Sequence, residues 1–249
     1  FRKANTDGIF QYEAKGAKNI LMEIDADCYQ DVIAASALNR PGPLSLGMVE
    51  EYAKEKKNVR ENKELENIDN IFFKYASDTY GTFVYQEQIM KVCTDLGEMS
   101  WADADKVMKF LKSGHGMTEK ALKLKMQEEE RLVNEFVKGA TKNGVKEKDA
   151  RDLFDKIMVY SFNKGHAVGY GLVSIEQMYY KVYYNTEFWF VTLKYANEKD
   201  IPRLSSKAVK DGCVILLPHV NGGANHKLTK IDGERCIREG TSTIKNVGL

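Results

Sequence analysis

Ser100-Trp101-Ala102-Asp103-Ala104-Asp105-Lys106-Val107-Met108-Lys109-Phe110-Leu111-Lys112 carries the clearest structural signal in the chain. Ser100 stands ahead of an acidic residue three places on, close to a capping box, so a helix is expected to open at Trp101. Ala104, Val107, Met108 and Leu111 recur at helical spacing and predict one buried face. Lys106, Lys109 and Lys112 fall together on a flank of that stripe. The stripe is core. The lysine row is a solvated face unless its surroundings give it a ligand.

The same period continues on both sides. Ile89, Val92, Cys93 and Leu96 predict a helix after Thr79-Tyr80-Gly81, and a long charged helix capped at Thr118 stops near Asn143-Gly144. Ala150, Leu153, Phe154, Ile157 and Met158 predict the next one. Upstream, residues 27–38 read as a short helix ended by the rigid turn Arg40-Pro41-Gly42-Pro43. The apolar-poor run 54–66 reads as solvated. Residues 167–184 are apolar or aromatic on nearly every face, which predicts a largely buried helix. Beyond Pro202 the texture changes: Cys213–Leu217 reads as a strand, Asp232-Gly233 as a hairpin turn, and the tail to Leu249 as short strands. The expected fold is mainly α, with a helical domain over 1–200 and a small mixed α/β subdomain over 201–249.

Composition narrows the function classes. Of 249 residues, 43% are hydrophobic and 29% charged, which excludes a disordered tail. No apolar run reaches the roughly 18–20 residues that a bilayer span needs. The opening Phe1-Arg2-Lys3 has no signal-peptide pattern, and the absent Met fits a piece of a longer or split polypeptide. Four dispersed cysteines without a C-x-x-C pair argue against zinc or disulfides and for reduced thiols in the cytoplasm. A net charge of +1 excludes a uniformly basic coat but leaves room for a local basic face.

Hydrolytic motifs are missing, the four histidines are not at metal spacing, and Gly165 to Gly171 matches neither a P-loop nor a dinucleotide fingerprint. Asp25-Ala26-Asp27 could be a two-metal carboxylate pair on a strand at 20–24, but Asp27 is better placed as the N-cap of the following helix. Lysine ammoniums neutralise polyphosphates as point charges, and a tyrosine beside them can stack on a base or sugar. Lys106, Lys109 and Lys112, with Tyr160, Phe162, Asn163, Lys164 and His166, therefore suit a nucleoside triphosphate.

Five ordered segments together resemble one family. They are Thr6 to Glu13 (TDGIFQYE), Leu38 to Leu44 (LNRPGPL), Thr79 to Met90 (TYGTFVYQEQIM), Tyr160 to Tyr170, and Ile215 to Asn221 (ILLPHVN). The chain resembles the α subunit of bacterial DNA polymerase III, the C-family replicative polymerases, and follows that family's order from about residue 6 to 248. Ala104 to Thr118 is more like the longer Gram-positive branch, which suggests a divergent member, with a phage origin as one option. The resemblance implies a fingers domain with residues 1–45 at the palm junction. It implies a dNTP site of Lys109, Lys112, Tyr160, Lys164 and His166, and contacts to DNA or the palm from Gln11, Glu13 and Arg40. The catalytic aspartates and their Mg2+ would lie on a palm outside this chain, and a sliding clamp would be met through regions beyond it. Departures from the family pattern are Met108-Lys109 in place of two arginines, Ser161, Gly165 and His219. The competing reading is a non-catalytic replisome-binding or DNA-binding helical module.

Overall fold

The computed structural model describes residues 1–61, 70–112, 119–158 and 161–244, without the side chains of 70–72, 110–112, 119–122 and 125. Among these residues there are twelve α-helices and one three-stranded sheet, so the fold is mainly α. The chain forms two compact units. The first is made of Phe1–Lys3 and Asn19–Gly169, the second of Ala4–Lys18 and Tyr170–Leu249.

α1 (Lys15–Glu23), whose residues from Asn19 on belong to the first unit, buries Ile20 and Leu21, and Ile24 is buried in the turn that follows. Residues 20–24 are therefore not a strand. α2 (Tyr29–Leu38) takes Cys28 as its N-cap, so Asp27 lies one position too early for that role. The Asp31 carboxylate accepts the N–H groups of both Asp27 (3.1 Å) and Cys28 (3.2 Å). The proline turn is itself a short helix, α3 (Pro41–Ser45), because proline at the first helical position has the right φ and needs no N–H there. α4 (Met48–Arg60) contradicts the reading of 54–66 as solvated: Glu55 and Lys56 are buried. Residues 62–66 of that run lie outside the described residues.

After α5 (Asn70–Ala76) and a 3-10 turn at Ser77–Thr79 come α6 (Gln86–Lys91) and a π-helical turn, Val92–Leu96. α7 (Trp101–Lys112) opens as its sequence dictates: Ser100 Oγ accepts the Asp103 N–H at 3.1 Å and donates to the Asp103 carboxylate at 2.6 Å. α8 (Glu119–Lys142) and α9 (Glu147–Ile157) complete the core. Ile89, Val92, Cys93, Ala104, Val107, Leu132, Phe136, Leu153, Phe154 and Ile157 pack in one cluster, with the Phe136 and Phe154 rings 5.3 Å apart. A Cβ on Gly139 would stand 1.9 Å from the Gly97 carbonyl oxygen, so the two backbones touch where only glycine fits.

α10 (Lys164–Tyr183) departs from the buried helix expected at 167–184. Only a narrow stripe, Ala167, Gly171, Ser174 and Lys181, is buried, while Leu172, Val173, Tyr179, Tyr180, Val182 and Tyr183 are exposed. The reason is polar. Lys181 Nζ points inward, donating to the Asp7 carbonyl at 2.8 Å and pairing with Asp211 at 2.9 Å, which fixes the helix rotation.

In the second unit Ser174 Oγ donates to the Phe10 carbonyl at 2.9 Å, and α11 (Asn185–Lys194) buries Phe188 and Trp189. After α12 (Ile201–Lys210) come strands β1 (Ile215–Leu216), β2 (Lys227–Ile231) and β3 (Glu234–Arg238) in the order β1-β3-β2. β1 runs parallel to β3 and β2 antiparallel to it. Asp232 and Gly233 both have positive φ, as a two-residue hairpin turn requires. Of the tail after that turn, β3 is strand as expected, whereas Thr241–Thr243 is a 3-10 turn.

Candidate functional site

The site is built where residues 78–90 meet residues 161–166 in the first unit. Gln88 is the buried clamp. Its Oε1 accepts the N–H groups of Val84 (3.0 Å) and Tyr85 (2.9 Å), and its Nε2 donates to Thr79 Oγ1 and Asp78 Oδ1, both at 2.8 Å. All of its side-chain capacity is used to fold 78–85 back onto the start of α6. Phe162 then pairs with this loop: it donates its N–H to the Val84 carbonyl and accepts the Gln86 N–H, each at 2.9 Å. The two segments thus form a parallel bridge between Tyr85 and Phe162.

α10 starts directly from that bridge. Asn163 caps it, its Oδ1 accepting the His166 N–H at 2.7 Å. The Glu87 carboxylate accepts the Lys164 N–H at 2.9 and 3.1 Å and the Asn163 amide at 3.1 Å, placing an acidic group at a helix N-terminus where it is stabilised. Lys164 Nζ forms an ion pair with Asp78 and lies 5.5 Å from the centre of the Tyr85 ring. The Arg40 guanidinium stands 4.2 Å over the Phe162 ring, whose other contact is an edge-to-face pairing with His166 at 5.4 Å.

Of the residues expected from the sequence, Arg40 and His166 meet at the Phe162 ring, while the Lys164 ammonium turns to Asp78 and the Tyr85 ring. Lys109 is strongly exposed on α7 and pairs with Asp105 one turn back at 2.5 Å. Lys106 is committed elsewhere, bridging Asp103 (3.1 Å) and Glu128 (3.3 Å) between α7 and α8. Tyr160 and the side chain of Lys112 lie outside the described residues. Gln11 and Glu13 belong to the second unit. There they border an open groove of about 730 Å³, in which Glu13 pairs with Arg203 and the Phe10 N–H donates to Gln177 at 2.7 Å. Gln11 itself sits at φ +65°, a strained backbone for a residue with a side chain. Sequence reasoning missed Asp78, Glu87, Gln88 and Arg203, since partners that meet only in space leave no mark in spacing.

Asp27, Cys28 and Asp31 bring three possible metal ligands together. Asp31 is buried and already holds Lys56 Nζ at 2.5 Å and the Tyr52 hydroxyl at 3.0 Å, while Asp27 pairs with Arg60 and Lys56. The Arg60 hydrogen bond is the main reason the Asp27 carboxyl is held well below the usual carboxylate range. The two carboxylates are neutralised by protein cations and do not fit a divalent ion.

The sequence profile of the bacterial DNA polymerase III alpha subunit finger domain matches residues 1–144, more than half of the chain, and the chain belongs to that family. It is 34% identical over 255 aligned positions to DNA polymerase III subunit alpha of Aquifex aeolicus (strain VF5), an alignment covering 99% of this chain and 20% of that protein. The subunit from Escherichia coli (strain K12) is 32% identical, and that from Buchnera aphidicola subsp. Schizaphis graminum (strain Sg) 33%, each across 99% of this chain and 21% of the relative. The chain thus spans about one-fifth of the curated relatives it matches. Residues 161–166 lie beyond the profile match but inside these alignments.

Proposed function

We propose that this chain is the fingers part of a DNA-directed DNA polymerase and that the start of α10 receives the triphosphate of the incoming dNTP. The observation that carries this reading is the bridge between Tyr85 and Phe162, from which α10 starts with Lys164 and His166, beside the Arg40 guanidinium over the Phe162 ring. The Lys164 side chain is 42% exposed, so its ammonium can reach an anion in solution. Lys109 and Lys112 on α7 and Tyr160 ahead of Phe162 complete the proposed nucleotide set.

The reaction is attack of a primer 3′-hydroxyl on the dNTP α-phosphate, with pyrophosphate leaving. Lewis acidity for that step comes from Mg2+ on palm aspartates outside this chain. Lys164 and Lys109 bind the β- and γ-phosphates and meet the negative charge that develops on the leaving group. Arg40, locked against Phe162, faces template-primer DNA, and Gln11 and Glu13 line the groove turned to DNA or to the palm. The partners are therefore dNTP, primed DNA and the palm-bearing remainder of the polymerase. No helix among the described residues is long and apolar enough to cross a membrane.

The test is dNTP affinity of the chain by calorimetry. Lys164→Ala and Lys109→Ala should each weaken binding, because each removes a charge-assisted contact worth about 1.5–3 kcal/mol, roughly ten- to a hundredfold. Unchanged affinity in both variants would defeat the site. Mixing the chain with a palm-bearing fragment should restore primer extension if the division of labour is right.

A further inference from the structure

Resting on the reading of Lys164 as a phosphate ligand, we propose that Asp78 is the internal counter-ion that Lys164 exchanges for the nucleotide's triphosphate. Asp78 then sets the affinity of the site.

The two partners of this ion pair are not equally free. Asp78 is anchored: its Oδ1 accepts from Gln88 Nε2 at 2.8 Å, and Gln88 is itself buried and clamped by the Val84 and Tyr85 N–H groups. The backbone of Lys164 is equally fixed, since its N–H is held by Glu87. What can move is the lysine's four-carbon stem and its ammonium, which stands half-exposed on the surface. Among the described residues Asp78 is the only carboxylate that Lys164 Nζ pairs with. A ligand that competes for Lys164 therefore competes with Asp78.

The chemistry of the exchange is simple. One N–H···O pair to a carboxylate is replaced by one to a phosphate oxygen, with no proton or covalent bond changing hands. The ammonium is a compact point charge and favours the anion of higher charge density. Asp78 opposes binding twice, because the pair must first open and the released carboxylate then faces the bound phosphates. Glu87 plays a different part. It accepts from a backbone N–H and an amide, groups that stay where they are, and so it is not exchanged.

Titration of the chain with dATP, and with inorganic triphosphate as a base-free probe, tests this. Asp78→Asn should raise affinity about two- to fivefold, the range of a partly exposed ion pair. Asp78→Ser serves as a second variant in case the new amide disturbs Gln88. The gain should shrink in the Lys164→Ala background, because the part that comes from opening the ion pair acts through that lysine. An equal gain with and without Lys164 would mean simple repulsion from a nearby charge and would overturn the exchange. So would an unchanged or lowered affinity of Asp78→Asn when Lys164→Ala does weaken binding. If Lys164→Ala has no effect, or no variant binds, the site reading itself fails and the exchange goes with it.

Discussion

At the scale of single residues the protein spends charge inside as well as outside. Lys56 is 2% exposed, and its ammonium meets the Asp31 carboxylate at 2.5 Å and the carbonyls of Ile24 (2.9 Å) and Asp25 (2.6 Å). Every proton of the ammonium has an acceptor, and Asp31 in turn holds the N–H groups that start α2. Removing the cation alone leaves a buried carboxylate uncompensated. Lys56→Ala should therefore cost about 3–5 kcal/mol, the range for breaking one side of a buried pair. A urea midpoint unchanged from the parent would refute that. Lys57→Ala, one residue on and paired among the described residues with exposed Glu61 at 3.9 Å, should fall within about 0.5 kcal/mol of the parent. The run KEKKNVRENKELE shows why this pair was illegible beforehand: four lysines in thirteen residues look alike, and only the position of Asp31 in space selects one.

At the scale of elements, hydrophobic period located the helices well. α7, α8 and α9 fall where Ser100, Gly144 and the apolar residues put them, because their cores are long and one-sided. It failed on α10, whose sequence has no polar side to mark as outer, so rotation is decided by one inward lysine rather than by pattern. The proline turn was misjudged for a related reason: proline ends one helix and equally well begins another. Half of the candidate site could be read ahead, since Arg40, Lys164 and His166 are donors in distinctive motifs. The carboxylates that hold Lys164, Asp78 and Glu87, could not. Contact between elements was equally hidden, and the meeting of Gly97 with Gly139 offers a test. Gly139→Ala drives a methyl into a backbone carbonyl that cannot step aside, so the loss should reach or exceed the about 1–3 kcal/mol typical of overpacking. Gly169→Ala has open space around its Cβ and sits inside a helix, so it should be neutral or up to about 1 kcal/mol stabilising. Equal midpoints for the two variants by circular dichroism would remove the close approach from the account.

At the scale of the whole molecule, the 201–249 segment carries the sheet that its strand signals announced, yet it shares a compact unit with residues 4–18 and 170–200, a union that chain order does not show. Charge is distributed so that acid should act in two stages. His226, in the second unit, is nearly buried and its Nε2 has no hydrogen-bond partner among the described residues. Burial lowers its pKa below the ordinary 6.5. The unfolded chain therefore takes up a proton that the folded one refuses, so stability falls as pH drops below about 6.5. Asp27, held mainly by Arg60, and Asp103, held mainly by Ser100 and then Arg131, lie below their ordinary 3.8. Their contribution is complete above that value and is lost as pH falls through their lower folded pKa. Glu51 runs the other way: burial raises its pKa above 4.5, so the folded state gains a little at low pH, against the trend. The urea midpoint should thus be level between about pH 7 and 8, decline gently below about 6.5, and drop steeply below about 4. Trp189 is fully buried in the second unit, and its fluorescence should report the first decline. Replacing His226 with Gln should abolish that early decline and leave the acid limb in place. A Trp189 transition that ignores pH between 7 and 5 in the parent chain would show that the buried imidazole is not what the folded state protects.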